Sequence, residues 1–337
     1  MTLAVDSSPM AVSADFRVED LEQYRRELTG YCYRMLGSVF EADDAVQETM
    51  VKAWKKFDAF EGRSAVRSWV YRIATNVCLD MRRGPQRRAR PMDLGPSSTT
   101  ESVVRGGLPP GLHPGALRQP RGQAVPDARV MPDGDPAEVA ATRDTVRLAF
   151  VAALQHLPAR QRAVLILREV LGWHAAEVAE LLGTTVVSVN SALQRARATL
   201  ASVDPAATAT APTDGWDREL LDRYVDAFQR YDVDALVSLV AEDAAFCMPP
   251  YELWLQGPVE VANWLTGPGI GCKGSRLAAT AANGCPAFGS YRPAGPGVHL
   301  PFALQVLEIS GGRIVGWHNF LYPELFPAFG LPARLES

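Results

Sequence analysis

No stretch of 18 or more apolar residues runs through this chain of 337 residues, so no segment reads as a membrane-spanning helix. The first residues, MTLAVDSSPMAVSADF, lack both the basic flank and the continuous apolar core of a secretory leader. The expectation is a soluble, cytoplasmic protein. Cysteine is scarce: Cys32, Cys78, Cys247, Cys272 and Cys285 are odd in number and widely spaced. They suggest no disulfide framework, and without a CxxC pair or a His-Cys-Cys pattern they suggest no zinc site. Cys32 and Cys78 read as small core residues. Residues 84–134 contain no aromatic side chain, and nine Pro and eight Gly fall among them. Such a composition cannot bury enough surface to offset its ordering entropy, so a flexible linker is expected. A second linker, DPAATATAPTD, covers 204–214. Together they leave three segments, 16–90, 135–203 and 215–337, each long enough to bury a core.

What is present in the middle segment is a helix, a glycine turn and a second helix, in GWHAAEVAELLGTTVVSVNSALQRARATL from Gly172. Ala175, Ala176, Val178, Ala179, Leu181 and Leu182 give the first helix its buried side, Gly183 ends it, and Thr184 or Thr185 can cap the next. In the second helix Val189, Leu193, Ala196 and Leu200 form one apolar stripe. The remaining faces show Ser188, Asn190, Ser191, Gln194, Arg195 and Arg197. Short polar side chains near a helix N-terminus can approach base edges while arginines farther along hold phosphates. A plain αα-hairpin with a solvated arginine face has the same pattern. Upstream, Asp135 and Pro136 open a helical stretch packed through Val146, Leu148, Ala149, Ala152, Ala153 and Leu154, and Gln161 to Val170 forms the next helix.

The first segment carries two further signals. DDAVQETMVKAW (Asp43 to Trp54) puts Val46, Met50, Ala53 and Trp54 on one helical face and Asp43, Asp44, Gln47 and Glu48 on the other, suited to a basic partner helix. RSWVYRIATNVCLDMRR (Arg67 to Arg83) buries Val66, Trp69, Val70, Ile73, Ala74, Val77 and Met81. It exposes Arg67, Arg72, Thr75, Asn76, Asp80, Arg82 and Arg83. Residues 52–90 hold eleven Lys and Arg against three acidic residues, a local charge of +8 inside a chain of net −4. That is the electrostatic footprint of a nucleic-acid binder.

These three signals in this order resemble the extracytoplasmic-function group of bacterial sigma-70 factors, over roughly residues 16–200. The resemblance implies a multidomain protein: an all-α region 2 bundle at 16–90 and an all-α region 4 helix-turn-helix at 135–203, joined by the disordered 84–134 linker. It implies that Asp43, Asp44, Gln47 and Glu48 grip the β′ coiled coil of core RNA polymerase, with the β flap and promoter DNA as further partners. The loop Asp58 to Ser64 would accept an unstacked base of the −10 element. Arg63, Arg67, Arg72, Asn76, Asp80, Arg82 and Arg83 would line that element, and Ser188, Asn190, Ser191, Gln194, Arg195 and Arg197 the −35 element. Trp69 and Tyr71 could stack on bases, although Trp69 also sits in the apolar stripe. The close relatives carry a Trp-Glu-Pro segment in the linker, which GLPPGLHPGALRQPRGQ does not contain.

Residues 215–337 hold 16 of the 28 aromatic residues and carry eight basic against thirteen acidic side chains, so direct contact with DNA is not expected. Helices are expected at Asp217 to Arg230 and Val233 to Val240, with Leu220, Leu221, Tyr224, Val225 and Phe228 inward. Strands follow at Ala244 to Met248, Arg276 to Ala282, Ala287 to Tyr291, Phe302 to Ile309 and Arg313 to Phe320, the last two joined by a Ser310-Gly311-Gly312 hairpin turn. This resembles the α+β SnoaL-like, NTF2-like cone fold found as an appendage in a subset of these sigma factors. The cone implies a pocket, for which Tyr224, Phe228, Phe246, Met248, Tyr251, Trp254, Trp317 and His318 are candidates, and a small-molecule ligand or intramolecular regulation. His318 is the one possible base among the terminal strands, although a lone strand histidine is more often a hydrogen-bonded structural residue. No catalytic residue, metal or cofactor is expected. The alternative to a sigma factor is a cone-fold small-molecule binder or enzyme on a sigma-like scaffold.

Overall fold

The computed structural model describes residues 17–60, 65–81, 97–105, 125–127, 145, 148–203, 217–249, 251 and 253–336. Two compact units emerge: Met1–Gln86 with Ala153–Pro205, and Arg87–Ala152 with Ala206–Ser337.

In the first unit α1 (Arg25–Leu36), α2 (Val39–Lys56) and α3 (Val66–Met81) form a bundle. Gly37 ends α1 at φ 77°, a left-handed position that a side chain would strain, and its N–H returns to the Tyr33 carbonyl at 2.7 Å. Leu28, Tyr31, Met35, Ala42, Val46, Val70, Ala74 and Val77 are buried between the three helices, and the Tyr31 and Thr75 hydroxyls meet at 2.7 Å inside. Cys32 and Cys78 are buried, free thiols. Three of the expected stripe positions, Trp54, Met81 and Trp69, are not fully buried. Trp54 is 63% exposed because the buried positions of α2 run through Ala42, Ala45, Val46, Thr49 and Ala53, one step round the helix from it. Met81 is exposed at the end of α3, and Trp69 is half-buried against the Phe60 ring, 4.8 Å between centroids.

The same unit contains α5 (Ala159–Leu165), whose axis continues through one π-helical turn at Ile166–Val170, then α6 (Ala175–Leu182) and α7 (Val186–Val203). The preceding helix, α4, spans Leu148–Leu154. Gly183 closes α6 at φ 60° as expected, and the Ser188 N–H bonds the Thr185 hydroxyl at 3.2 Å, which makes Thr185 the cap of α7. Val178, Ala179 and Leu181 are buried while Ala176 is exposed, on the side of α6 turned from the core.

The second unit is a curved mixed sheet with helices packed on it. After α8 (Arg218–Arg230) and α9 (Val233–Ser238) come β1 (Val240–Cys247), β2 (Trp254–Gln256), α10 (Gly257–Thr266), β3 (Arg276–Ala282), β4 (Cys285–Gly295), β5 (Val298–Ser310), β6 (Arg313–Phe320) and β7 (Leu335–Glu336). The strand order is β2-β1-β6-β5-β4-β3, with β7 beside β5; β1 runs parallel to β6 and the other pairs are antiparallel. Asp217 and Asp232 cap α8 and α9 through their carboxylates. Gly311 and Gly312 supply the positive φ values, 57° and 69°, that a tight β5–β6 hairpin requires. Tyr224, Phe228 and Phe246 each pack edge to face against Trp317, at 5.2 to 6.2 Å between centroids, in the core under the sheet.

Part of the Pro/Gly-rich linker is built into this unit, which its composition did not foretell. A short helix at Thr100–Arg105 is anchored where Thr100 N–H and its hydroxyl both donate to Glu260 Oε2, at 2.7 and 2.9 Å, and Ser98 N–H donates to the Trp254 carbonyl at 2.9 Å. Val125 to Asp127 are buried, with the Asp127 N–H on Asn283 Oδ1 at 3.0 Å.

Candidate nucleic-acid interface

On α2 the buried positions leave Asp43, Asp44, Gln47 and Glu48 exposed together. Lys52 lies 2.7 Å from Glu48 at the C-terminal end of this patch. Val51 and Trp54 extend it, at i+4 and i+7 from Gln47, and both are exposed apolar side chains. Pattern-reading placed Trp54 in the core; the structure makes it surface beside the acidic face.

On α3, Asn76 and Asp80 are exposed. Arg67 and Arg72 are engaged within the unit. Arg67 pairs with Glu27 at 2.9 Å and lies 5.5 and 5.6 Å from the Tyr71 and Trp173 ring centres; Arg72 reaches Glu180 on α6 at 3.4 Å. Trp173, just before α6, is itself buried with its ring 5.1 Å from that of Tyr71. Tyr71 is therefore a core residue. Thr75 is likewise buried, bonded to the Tyr71 carbonyl. Arg63, Arg82 and Arg83, with most of the Asp58 to Ser64 loop, lie outside the described residues.

Along α7 the expected division of faces is present. Val189, Leu193, Ala196 and Leu200 are buried, and Ser188, Asn190, Gln194, Arg195 and Arg197 are exposed, with Ser191 half-buried. Arg197 pairs with Glu169 at 2.7 Å. The apolar pattern gave no sign of Val186 and Val187 as surface residues, yet Val187 is 75% exposed at the N-terminal end of the helix. Aliphatic side chains there suit thymine methyl groups. Val187 lies off the period that joins Val189, Leu193, Ala196 and Leu200, which is why it is turned from the core.

The α5–α6–α7 segment is tied to the α1–α3 bundle by a buried arginine. Arg162 donates to the Leu154 carbonyl at 2.7 Å, Gln155 Oε1 at 2.7 Å, the Leu157 carbonyl at 3.0 Å and the Met35 carbonyl at the end of α1. Gln155 in turn donates to the Arg34 carbonyl at 3.2 Å. The backbone carbonyls among these acceptors lie at or just beyond the C-terminal ends of α1 and α4, where a cation is favoured.

In the second unit a partly open cavity lies between sheet and helices. Its lining is Phe228, Phe246, Met248, Trp264, Leu265, Pro268, Gly269, Cys272, Arg292, Phe302, Gln305, Trp317, Asn319 and Leu321. Of the residues singled out from sequence, Phe228, Phe246, Met248 and Trp317 line it. Tyr224 sits behind it, its hydroxyl donating to Gln305 Oε1 at 2.7 Å. Trp254, on β2, pairs with Cys247 of β1, and Tyr251 packs on the core without reaching the cavity. His318 is on the opposite face of β6, because successive strand residues alternate and Trp317 faces in. There its Nδ1 lies 3.0 Å from Cys247 Sγ and its Nε2 3.7 Å from Glu308, all three buried. Burial opposes its charge, but Cys247 and Glu308 outweigh burial and raise its pKa to about 10. A histidine held this way, away from the cavity, is a structural residue. Arg292, Gln305 and Asn319 were missed, though a polar residue inside an apolar strand run such as FALQVLEI is the kind of signal that marks a buried polar site.

Comparison with known proteins agrees with this architecture. Residues 21–88 match the Sigma-70 region 2 family and residues 147–200 the Sigma-70, region 4 family. The ECF RNA polymerase sigma factor SigG of Mycobacterium tuberculosis is 45% identical over 322 residues, covering 93% of this chain and 83% of the relative. SigJ of the same species is 27% identical over 230 residues, 68% of this chain and 64% of the relative. The crystal structure of Mycobacterium tuberculosis SigJ superposes with a TM-score of 0.56 at 22% identity, covering 94% of this chain and all of that one, a likeness of fold. With both sigma-70 regions in place and that level of identity across nearly its whole length, the chain belongs to the extracytoplasmic-function family of RNA polymerase sigma factors.

Proposed function

We propose that this sigma factor, a non-enzymatic initiation factor that binds core RNA polymerase and promoter DNA, divides that work among the surfaces described above. Asp43, Asp44, Gln47 and Glu48 dock the polymerase coiled coil, with Val51 and Trp54 adding apolar contact. Arg67, Arg72, Asn76 and Asp80, together with Arg63, Arg82 and Arg83, serve the −10 element. Ser188, Asn190, Ser191 and Gln194 read −35 base edges while Arg195 and Arg197 hold phosphates. The observation that carries this reading is α7: its whole apolar stripe is buried and its polar face is exposed. The pairs that engage Arg67, Arg72 and Arg197 are partly solvated, and such pairs contribute roughly 0–1 kcal/mol. DNA phosphates can therefore replace them at little cost.

The cone unit is proposed to modulate this activity rather than catalyse a reaction. Support comes from its charge, −5 over residues 215–337, opposite to that of residues 52–90, and from the short tether at 204–214.

One assay set tests both statements. On matched −35 sequences, Arg195→Ala and Arg197→Ala lower affinity alike on every sequence and reduce the salt slope by about 1. Asn190→Ala and Gln194→Ala instead change base preference by about 1–3 kcal/mol. A chain ending at Pro205 alters promoter-dependent transcription with purified core enzyme. Uniform loss for all four variants would remove the division of roles, and equal output from full-length and shortened chains would remove the modulation.

A further inference from the structure

The cavity of the cone unit has walls of Phe228, Phe246, Met248, Trp264 and Leu265, and no Asp or Glu among its lining residues. Its polar lining is sorted by sign. The two amides are satisfied by protein: Gln305 Oε1 accepts from Tyr224, Gln305 Nε2 donates to Asn319 Oδ1 at 3.2 Å, and Asn319 Nδ2 donates to the Cys247 carbonyl at 3.2 Å. The lining atoms that are buried without a partner are both donors, Arg292 Nε and Trp317 Nε1. An orphaned buried donor is costly, and in a cavity a ligand acceptor is the group that relieves it.

Arg292 is the decisive residue. Its guanidinium offers N–H donors and no acceptor, yet its protein contacts are a thiol and a ring: Nη2 lies 3.2 Å from Cys272 Sγ and Cζ is 3.3 Å from the Phe302 ring centre. No carboxylate among the described residues pairs with it. The ring is delivered by a flaw in the sheet, since Ser290 pairs with Ala303 and Tyr291 with Pro301, leaving Phe302 as the extra residue of a β-bulge. Bulges of this kind re-aim a side chain, and here the re-aimed ring holds a fork of N–H donors flat at an apolar cavity. A half-buried cation without a counter-ion beside apolar walls matches a molecule that is apolar for most of its length and anionic at one end.

We propose that this cavity binds a small apolar monocarboxylate, its carboxylate on the Arg292 guanidinium and its hydrocarbon part against Phe246, Trp264 and Trp317. The proposal does not depend on how the chain contacts polymerase or promoter, so its test needs neither.

The full-length protein is titrated with sodium octanoate and, separately, with 1-octanol, followed by tryptophan fluorescence and calorimetry. Octanoate is expected to bind saturably, one per chain, and at least tenfold more tightly than octanol. Arg292→Gln is expected to bring that ratio close to one while leaving the thermal transition of the cone unit in place. Saturable octanoate is also expected to slow alkylation of Cys272, which sits beside the guanidinium. That measurement on unaltered protein remains decisive if Arg292→Gln fails to fold. Absence of saturable octanoate binding, octanol binding as tightly as octanoate, an unchanged ratio in Arg292→Gln, or unaltered Cys272 alkylation at saturating octanoate would each overturn the proposal.

Discussion

His318 shows how one residue position redirects a functional reading. A histidine in a strand of a cone fold invites a catalytic interpretation, but the alternation of β6 puts Trp317 at the cavity and His318 on the other face beside Cys247 and Glu308. Even the neighbouring glycine is part of this arrangement. A Cβ on Gly316 would come within 2.8 Å of His318 Nε2 and 3.1 Å of Glu308, so no larger residue fits without displacing the cluster. With its pKa raised from the usual 6.5 to about 10, protonated His318 stabilises the fold. Its stabilisation is complete below about pH 6.5 and is lost as pH rises through about 10. In urea titrations of the cone transition, the stability difference between the wild type and His318→Gln should therefore shrink from pH 6.5 towards pH 10. A difference that grows over the same interval would mean that the histidine is held neutral.

At the scale of elements, the contact between α5–α7 and the α1–α3 bundle turns on Arg162. Replacing it with Met keeps the aliphatic stem and removes the donors, leaving the Met35, Leu154 and Leu157 carbonyls and Gln155 Oε1 without that partner. Arg162→Met is expected to cost about 2–4 kcal/mol in urea denaturation, and a loss under about 0.5 kcal/mol, the range of neutral surface changes, would show that water replaces these bonds. Nothing in PARQRAVL distinguishes Arg162 from a solvated helix arginine, because its partners, the Met35 carbonyl on α1 and groups of residues 154–157, are brought to it only by the packed fold. The elements that were legible had a local cause. Helix α7 follows from a four-residue apolar stripe, and β3 and β6 have their expected bounds because turn residues flank them. By contrast β2 and α10 were missed. In WLQGPVEVANWLT the Gly-Pro pair reads as a turn, whereas Gly257 at φ 79° with Pro258 after it starts a helix, and a Cβ at Gly257 would stand 2.7 Å from the Glu242 carbonyl. The cavity was half legible for a similar reason: its apolar walls follow from alternation, but Phe302 and Arg292 reach it through a bulge that no periodicity encodes.

Across the whole molecule, charge is segregated: an acidic patch on α2, an excess of +8 in residues 52–90, and a negative C-terminal segment. Segregation of this kind governs encounter with partners more than folding. It follows that the polymerase contact can be reversed without unfolding the chain, since Asp43 and Asp44 are exposed and the buried side of α2 is untouched by their replacement. The most direct measurement is the binding of the full-length chain carrying Asp43→Lys and Asp44→Lys to purified core RNA polymerase, with circular dichroism confirming its helices. The double variant should bind core at least tenfold more weakly than the wild type, about 1.4 kcal/mol, and association of equal strength by a folded double variant would contradict the assignment of this face to polymerase.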